Sequence, residues 1–224
     1  MTKKIIIKAI LGLILVISFT LQSYPYLVAN WRECLAAPGC TCGISPDIKK
    51  SMGPSLQTYI VESAWYFLTS HADYQDFQAL VEMTDINGVD SQGMKSILDS
   101  AIANMEKARA VYANLKVAAA DIPNDRAMID RLRVFDYDAF QSKYGLLAPI
   151  YEKVKSLLVK GDTAGLDDAV LANMDAILKQ LYEVKTIVDG DRSPDIAILW
   201  RLNQTYFEAQ LFGQYISEII KANI

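Results

Sequence analysis

One histidine, His71, is all that 224 residues provide. That scarcity excludes zinc and di-iron centres built from two histidines on facing helices, and the Glu-x-x-His pattern of such centres does not occur. Triad chemistry has no footing either, because no serine stands in the glycine-flanked turn that exposes a nucleophile. Long runs of like charge, the mark of solvated tails, are missing. Lys and Arg number 22 against 26 Asp and Glu, for a formal charge of −4, and setting aside the three N-terminal lysines leaves the body more acidic still. Without a basic footprint, nucleic-acid binding is excluded as a general function. No β-type alternation of useful length is present, and the seven prolines and eleven glycines fall between periodic segments.

What the chain does have begins at its start. Lys3, Lys4 and Lys8 surround Ile5–Ile7 and precede a charge-free stretch from Ala9 to Trp31, the pattern of an export signal. Lysines retained on the cytoplasmic side direct the rest of the chain across the membrane. Residues 1–30 are therefore expected to be a signal peptide or a signal anchor. Cleavage wants small residues at the last and third-last positions before the cut, and neither Ala29 nor Ser23 is well supported. An uncut segment of this length could cross the roughly 30 Å hydrocarbon core, although Gln22, Ser23 and Pro25 dilute its second half. The expected location is outside the cytoplasm: periplasmic, extracellular or membrane-anchored facing outward. A membrane contact through the N-terminal segment is expected if it stays uncut.

Residues 31–45 form a Cys-containing loop with Cys34, Cys40 and Cys42, the chain's only cysteines. Outside the cytoplasm such thiols oxidise, so one disulfide among them with one odd thiol is the simple expectation. A pin on this loop is favoured over a metal or redox role, since a fourth Cys or His is lacking nearby.

Residues 46–224 read as an all-α domain, a mostly antiparallel bundle of four to five helices. Helices are expected near 46–83, 90–121, 124–160 with an interruption, 164–189 and 194–222. Met94, Leu98, Ala101, Met105, Ala108, Tyr112 and Leu115 alternate steps of four and three, one buried stripe on a helix whose other faces are wet. Phe140, Tyr144, Leu147, Tyr151, Val154 and Leu158 repeat the pattern, as do Leu166, Val170, Met174, Ile177, Leu181, Val184 and Val188. In the first helix Leu56, Ile60, Ser63, Phe67, Ser70, Tyr74, Phe77 and Val81 make one seam, while Val61, Trp65, Leu68 and Ala72 make a second. A helix apolar on two sides must meet neighbours on both, so that second seam is a candidate interaction surface. The last helix is apolar around much of its circumference, which places it deep in the bundle or against a partner.

Punctuation supports this map. Asp136-Tyr137-Asp138 lies between two stripes that are out of phase, which predicts a break, and Pro149 inside the following helix predicts a kink near Gly145–Pro149. Ser193-Pro194-Asp195 places a capping serine before a first-turn proline. Lys160-Gly161-Asp162 and Asp189-Gly190-Asp191 are glycine stops. Asp85–Asp90 fails as a calcium loop because Val89 and Ser96 occupy ligand positions. Asn203-Gln204-Thr205 matches the glycosylation triplet but falls inside a helix.

No catalytic residue, metal ligand or cofactor site is assigned. The leading expectation is a non-enzymatic exported bundle acting by contact, an accessory, assembly or interaction subunit at the cell envelope with a protein partner or a second copy of itself. The alternative is a ligand-binding or sensory bundle using an aromatic-lined gap made by Tyr144, Gly145, Pro149, Tyr151 and Tyr206. An enzyme with an unfamiliar site is the third reading.

Overall fold

The stripes of four-and-three spacing lie on helices in the structure, the one from Phe140 to Leu158 divided between two; it is a computed structural model that describes residues 54–87, 91–120, 126–145 and 147–223. Among the described residues there are seven helices and no strand. They are α1 (Pro54–Asn87), α2 (Ser91–Ala120), α3 (Arg126–Arg133), α4 (Tyr137–Tyr144), α5 (Ala148–Lys160), α6 (Thr163–Asp189) and α7 (Ile196–Asn223). The N-terminal segment, the cysteine loop and any helical turn before Pro54 lie outside the described residues. No described helix is long and apolar enough to cross a membrane.

α1 and α2 run antiparallel and touch through small residues. Ser63 Oγ donates to the Ala108 carbonyl at 2.9 Å, and Ser70 Oγ donates to the Ala101 carbonyl at 2.6 Å. A hydroxyl on so short a side chain reaches the backbone of another helix only where the two axes come close. Ala101 and Ala108, both without exposed surface, leave the space for it. The serines and the alanines are each seven residues apart, so the two rungs fix one register.

A row of ion pairs joins α2 to α6, again antiparallel. Lys95 pairs with Asp191 just beyond α6 at 2.9 Å, Lys185 with Asp99 at 2.6 Å, Arg109 with Asp175, and Lys116 with Asp168. Thr205 Oγ1 accepts from Gln180 Nε2 at 2.8 Å and ties α6 to α7, beside the Arg201–Glu183 pair at 3.2 Å. Tyr74 Oη donates to the Leu199 carbonyl at 2.5 Å and closes the ring from α7 back to α1. Inside this ring lies one apolar cluster that includes Phe77, Met94, Leu98, Met105, Ile177, Leu181, Leu202 and Tyr206.

A second cluster sits where α3, α4 and α5 meet the start of α6 and the later half of α7. It contains Leu132, Tyr137, Phe140, Tyr151, Val154, Leu158, Leu166, Phe212, Tyr215 and Ile219. Here the four-to-five-helix expectation needs correction, because the single interrupted helix over 124–160 is three helices. The first break falls after Arg133, and Asp136 caps α4 by accepting from the Ala139 N–H at 2.9 Å. The second is a full stop, not a kink. Gly145 takes a left-handed conformation (φ 59°) and donates its N–H to the Gln141 carbonyl, ending α4. Pro149 then stands in the first turn of α5, where its missing N–H and fixed φ are tolerated. Leu147, expected on the buried stripe, is exposed as a result, since it lies in the turn.

One further boundary differs from expectation. Asp195, not Ser193, caps α7: its carboxylate accepts from the Ala197 N–H at 2.8 Å, and Pro194 is buried ahead of the cap. α6 ends at Gly190 as expected, with the left-handed conformation taken by the next residue, Asp191 (φ 52°).

Candidate functional site

The most concentrated polar chemistry in the first cluster surrounds Tyr206. Its ring lies between His71, nearly parallel at 4.6 Å between centroids, and Tyr74 at 5.4 Å, with Phe67 edge-on at 5.9 Å. Ser70 Oγ gives its one proton to the Ala101 carbonyl, so the 2.8 Å contact between Ser70 Oγ and Tyr206 Oη is donated by the tyrosine. His71 hydrogen-bonds to Asn203 on α7. Burial holds its imidazole down at about 4, so the ring is neutral at pH 7.

Adjacent serine and histidine side chains invite a nucleophile–base reading, and the geometry gives them other partners. The serine proton is engaged with α2, while the histidine ring stacks on Tyr206 and bonds to Asn203. Ser63, Ser70 and His71 are all buried. The arrangement holds α1, α2 and α7 in one register. Burial also drives the Tyr74 hydroxyl well above its ordinary value, which keeps it a proton donor.

A second polar pair stands between α2 and α6, where the Tyr112 hydroxyl donates to Asp167 at 2.9 Å. Desolvation raises both groups, with the carboxylate raising the phenol further.

The described residues expected to line an aromatic gap are not brought together. Gly145 and Pro149 are exposed at the α4–α5 turn. Tyr151 is fully buried in the second cluster, its hydroxyl donating to the Tyr137 carbonyl, and burial pushes that hydroxyl up to about 12. Tyr206 is fully buried in the first cluster. The Tyr144 side chain lies outside the described residues. The tyrosine that meets the turn is Tyr215, whose hydroxyl accepts the Leu147 N–H at 2.9 Å. On the expected interaction seam Trp65, Leu68 and Ala72 are half-buried along α1, and the Val61 side chain lies outside the described residues. Cys34, Cys40 and Cys42 lie outside them too. Among the described residues no group of three or more His, Cys, Asp or Glu side chains is placed to hold a metal ion.

Sequence reasoning placed the last helix deep in the bundle or against a partner, but did not resolve which residues of α7 face out. Leu199, Leu202, Tyr206, Phe212, Tyr215 and Ile219 face inward, while Ile196 (73% exposed), Trp200 (59%) and Phe207 (45%) face out. The signal was present as two interleaved sets of apolar positions on one segment, which the reading merged into a single all-round apolar helix. At the start of this outer face a recess of about 210 Å³ opens between α1 and α7, lined by Val81, Pro194, Ile196 and Leu199 with Gln78, Glu82 and Ser193. The chain matches no protein-family model, no curated protein and no solved structure.

Proposed function

We propose that this chain is an exported helical-bundle protein that works by contact, as an accessory, assembly or interaction subunit at the cell envelope. The observation that carries the contact reading is the outward apolar face of α7. Trp200 and Phe207 are large rings on a regular helix whose opposite side is already committed to the core. Isolated exposed apolar residues are ordinary, but a helix-spaced aromatic stripe is the surface a protein partner recognises. Export is supported by the lysine-flanked apolar start described above. In that setting Cys34, Cys40 and Cys42 would meet oxidising conditions and close one disulfide.

Two measurements test this reading. Alkaline phosphatase fused after Ile224 should be active in the parent cell, and an inactive fusion alongside an active cytoplasmic reporter would overturn export. A photoreactive residue in place of Trp200 should cross-link to protein in intact cells, whereas the same residue at exposed Val117 should not. Equal labelling from both positions, or none, would defeat the contact reading.

A further inference from the structure

The outward face of α7 reads the same in both chain directions. From Ile196 to Trp200 is four residues, from Trp200 to Phe207 seven, and from Phe207 four more to Leu211, which is half-buried at the edge of the second cluster. We infer that α7 pairs with α7 of a second copy, antiparallel, about a two-fold axis between Asn203 and Gln204; this rests on the contact reading above and names its partner.

A two-fold interface is isologous, so each residue must meet a partner that it meets again in reverse. With the axis at Asn203 and Gln204, Trp200 lies beside Phe207 of the second copy, and Ile196 lies beside Leu211. Each aromatic therefore stacks on an aromatic and each aliphatic on an aliphatic. Ile196 also lines the recess between α1 and α7, so Leu211 of the second copy arrives at its lip.

Charge follows the same symmetry. Arg201 and Glu208 are seven residues apart on the exposed flank of the stripe that faces α6. The antiparallel pairing brings Arg201 of each copy towards Glu208 of the other, so unlike charges meet twice. A parallel pairing would put the two copies of this flank on opposite sides of the helix pair, so Arg201 and Glu208 would not meet. The balanced flank also disfavours a lipid surface, since helices that lie on membranes carry a Lys/Arg-rich polar face. Soluble interfaces that persist bury about 1,200–2,000 Å² in total, and one helix face with four apolar side chains is small by that measure. The expected species is a reversible dimer.

The full chain, with Cys34, Cys40 and Cys42 replaced by Ser and kept in mild detergent, allows the test. Sedimentation velocity should show a monomer–dimer equilibrium that shifts with concentration. Trp200→Glu combined with Phe207→Glu should leave only monomer, with helicity unchanged, whereas Val117→Glu should leave the dimer intact. Spin labels at Gln204→Cys should lie close together across the dimer. Those at Gln214→Cys should be about 30 Å further apart along the axis, from a rise of 1.5 Å per residue. Equal separations at the two sites, or a dimer that survives the double Glu variant, would overturn the proposal. A monomer at every concentration would overturn it too. In that event cross-linking from position 200 to a different protein would leave the contact reading standing, and its absence would remove both.

Discussion

His71 carries a pH dependence whose sign follows from its burial. In the unfolded chain it takes up a proton near 6.5, while in the folded protein it stays neutral down to about 4. Between those values the unfolded state binds more protons, so stability is complete above pH 6.5 and falls as the pH drops towards 4. The loss attributable to this residue is on the order of 2 kcal/mol by pH 5. His71→Gln should lower stability at pH 7.5 but flatten the slope, and urea midpoints at the two pH values, compared between parent and variant, measure this. Parallel slopes would show that the ring titrates freely in the folded state. The α1–α2 contact makes a second residue-scale case. Ala101→Leu forces extra methylenes between backbones that Ser70 holds together, at a cost of about 1–3 kcal/mol. Lys107→Ala removes only an exposed ammonium 5.6 Å from the Tyr66 ring, with an effect within about 0.5 kcal/mol. Thermal unfolding of the two variants should separate them clearly. Ser63 and Ser70 were legible as seam positions from their spacing, but not as hydrogen-bond donors to another helix. Spacing names a face, and only the facing helix decides what a hydroxyl there meets.

At the scale of elements, the periodic stripes of α2, α6 and the described part of α1 were readable because one face is buried along their length. The 124–160 segment was not, since two short helices of eight residues each carry too few turns for periodicity to speak. Its helix ends depend on local backbone instead, and two glycines there allow a comparison. Gly161 has φ 68°, and a Cβ placed on it would lie 2.8 Å from the Ile129 Cγ2 atom. Gly145 has φ 59° with open space around it. Both substitutions by Ala carry the left-handed penalty of about 1–2 kcal/mol, and Gly161→Ala adds the steric displacement of α3. Denaturant unfolding should therefore rank Gly161→Ala as the more damaging, and equal losses would mean that Ile129 gives way freely. The outer face of α7 was hidden for the opposite reason. Its inward and outward apolar sets together left no clear polar side to set the phase.

Across the whole molecule, the two apolar clusters share only α6 and α7 and draw on otherwise separate helices. Contiguous cooperative units of this kind open at different free energies. Hydrogen exchange should protect the amides of α2 and central α6 more strongly than those of α3 and α4, which are short and have more exposed faces. Uniform protection would show one indivisible core. The row of ion pairs between α2 and α6 has a different consequence, which concerns time. Exposed pairs of this sort add less than about 1 kcal/mol each to the finished protein. Only residues 88–90 separate α1 from α2, whereas residues 121–162 separate α2 from α6. Local hairpins close sooner than distant pairs, so docking of α6 onto α2 is a late event in folding. Along that edge Lys95, Asp99, Arg109 and Lys116 meet Asp191, Lys185, Asp175 and Asp168, an unlike charge in every case, and a slip by one turn would break the match. The pattern therefore acts as a selector of alignment while the helices are still finding each other. Added salt should slow refolding while leaving the unfolding rate nearly unchanged.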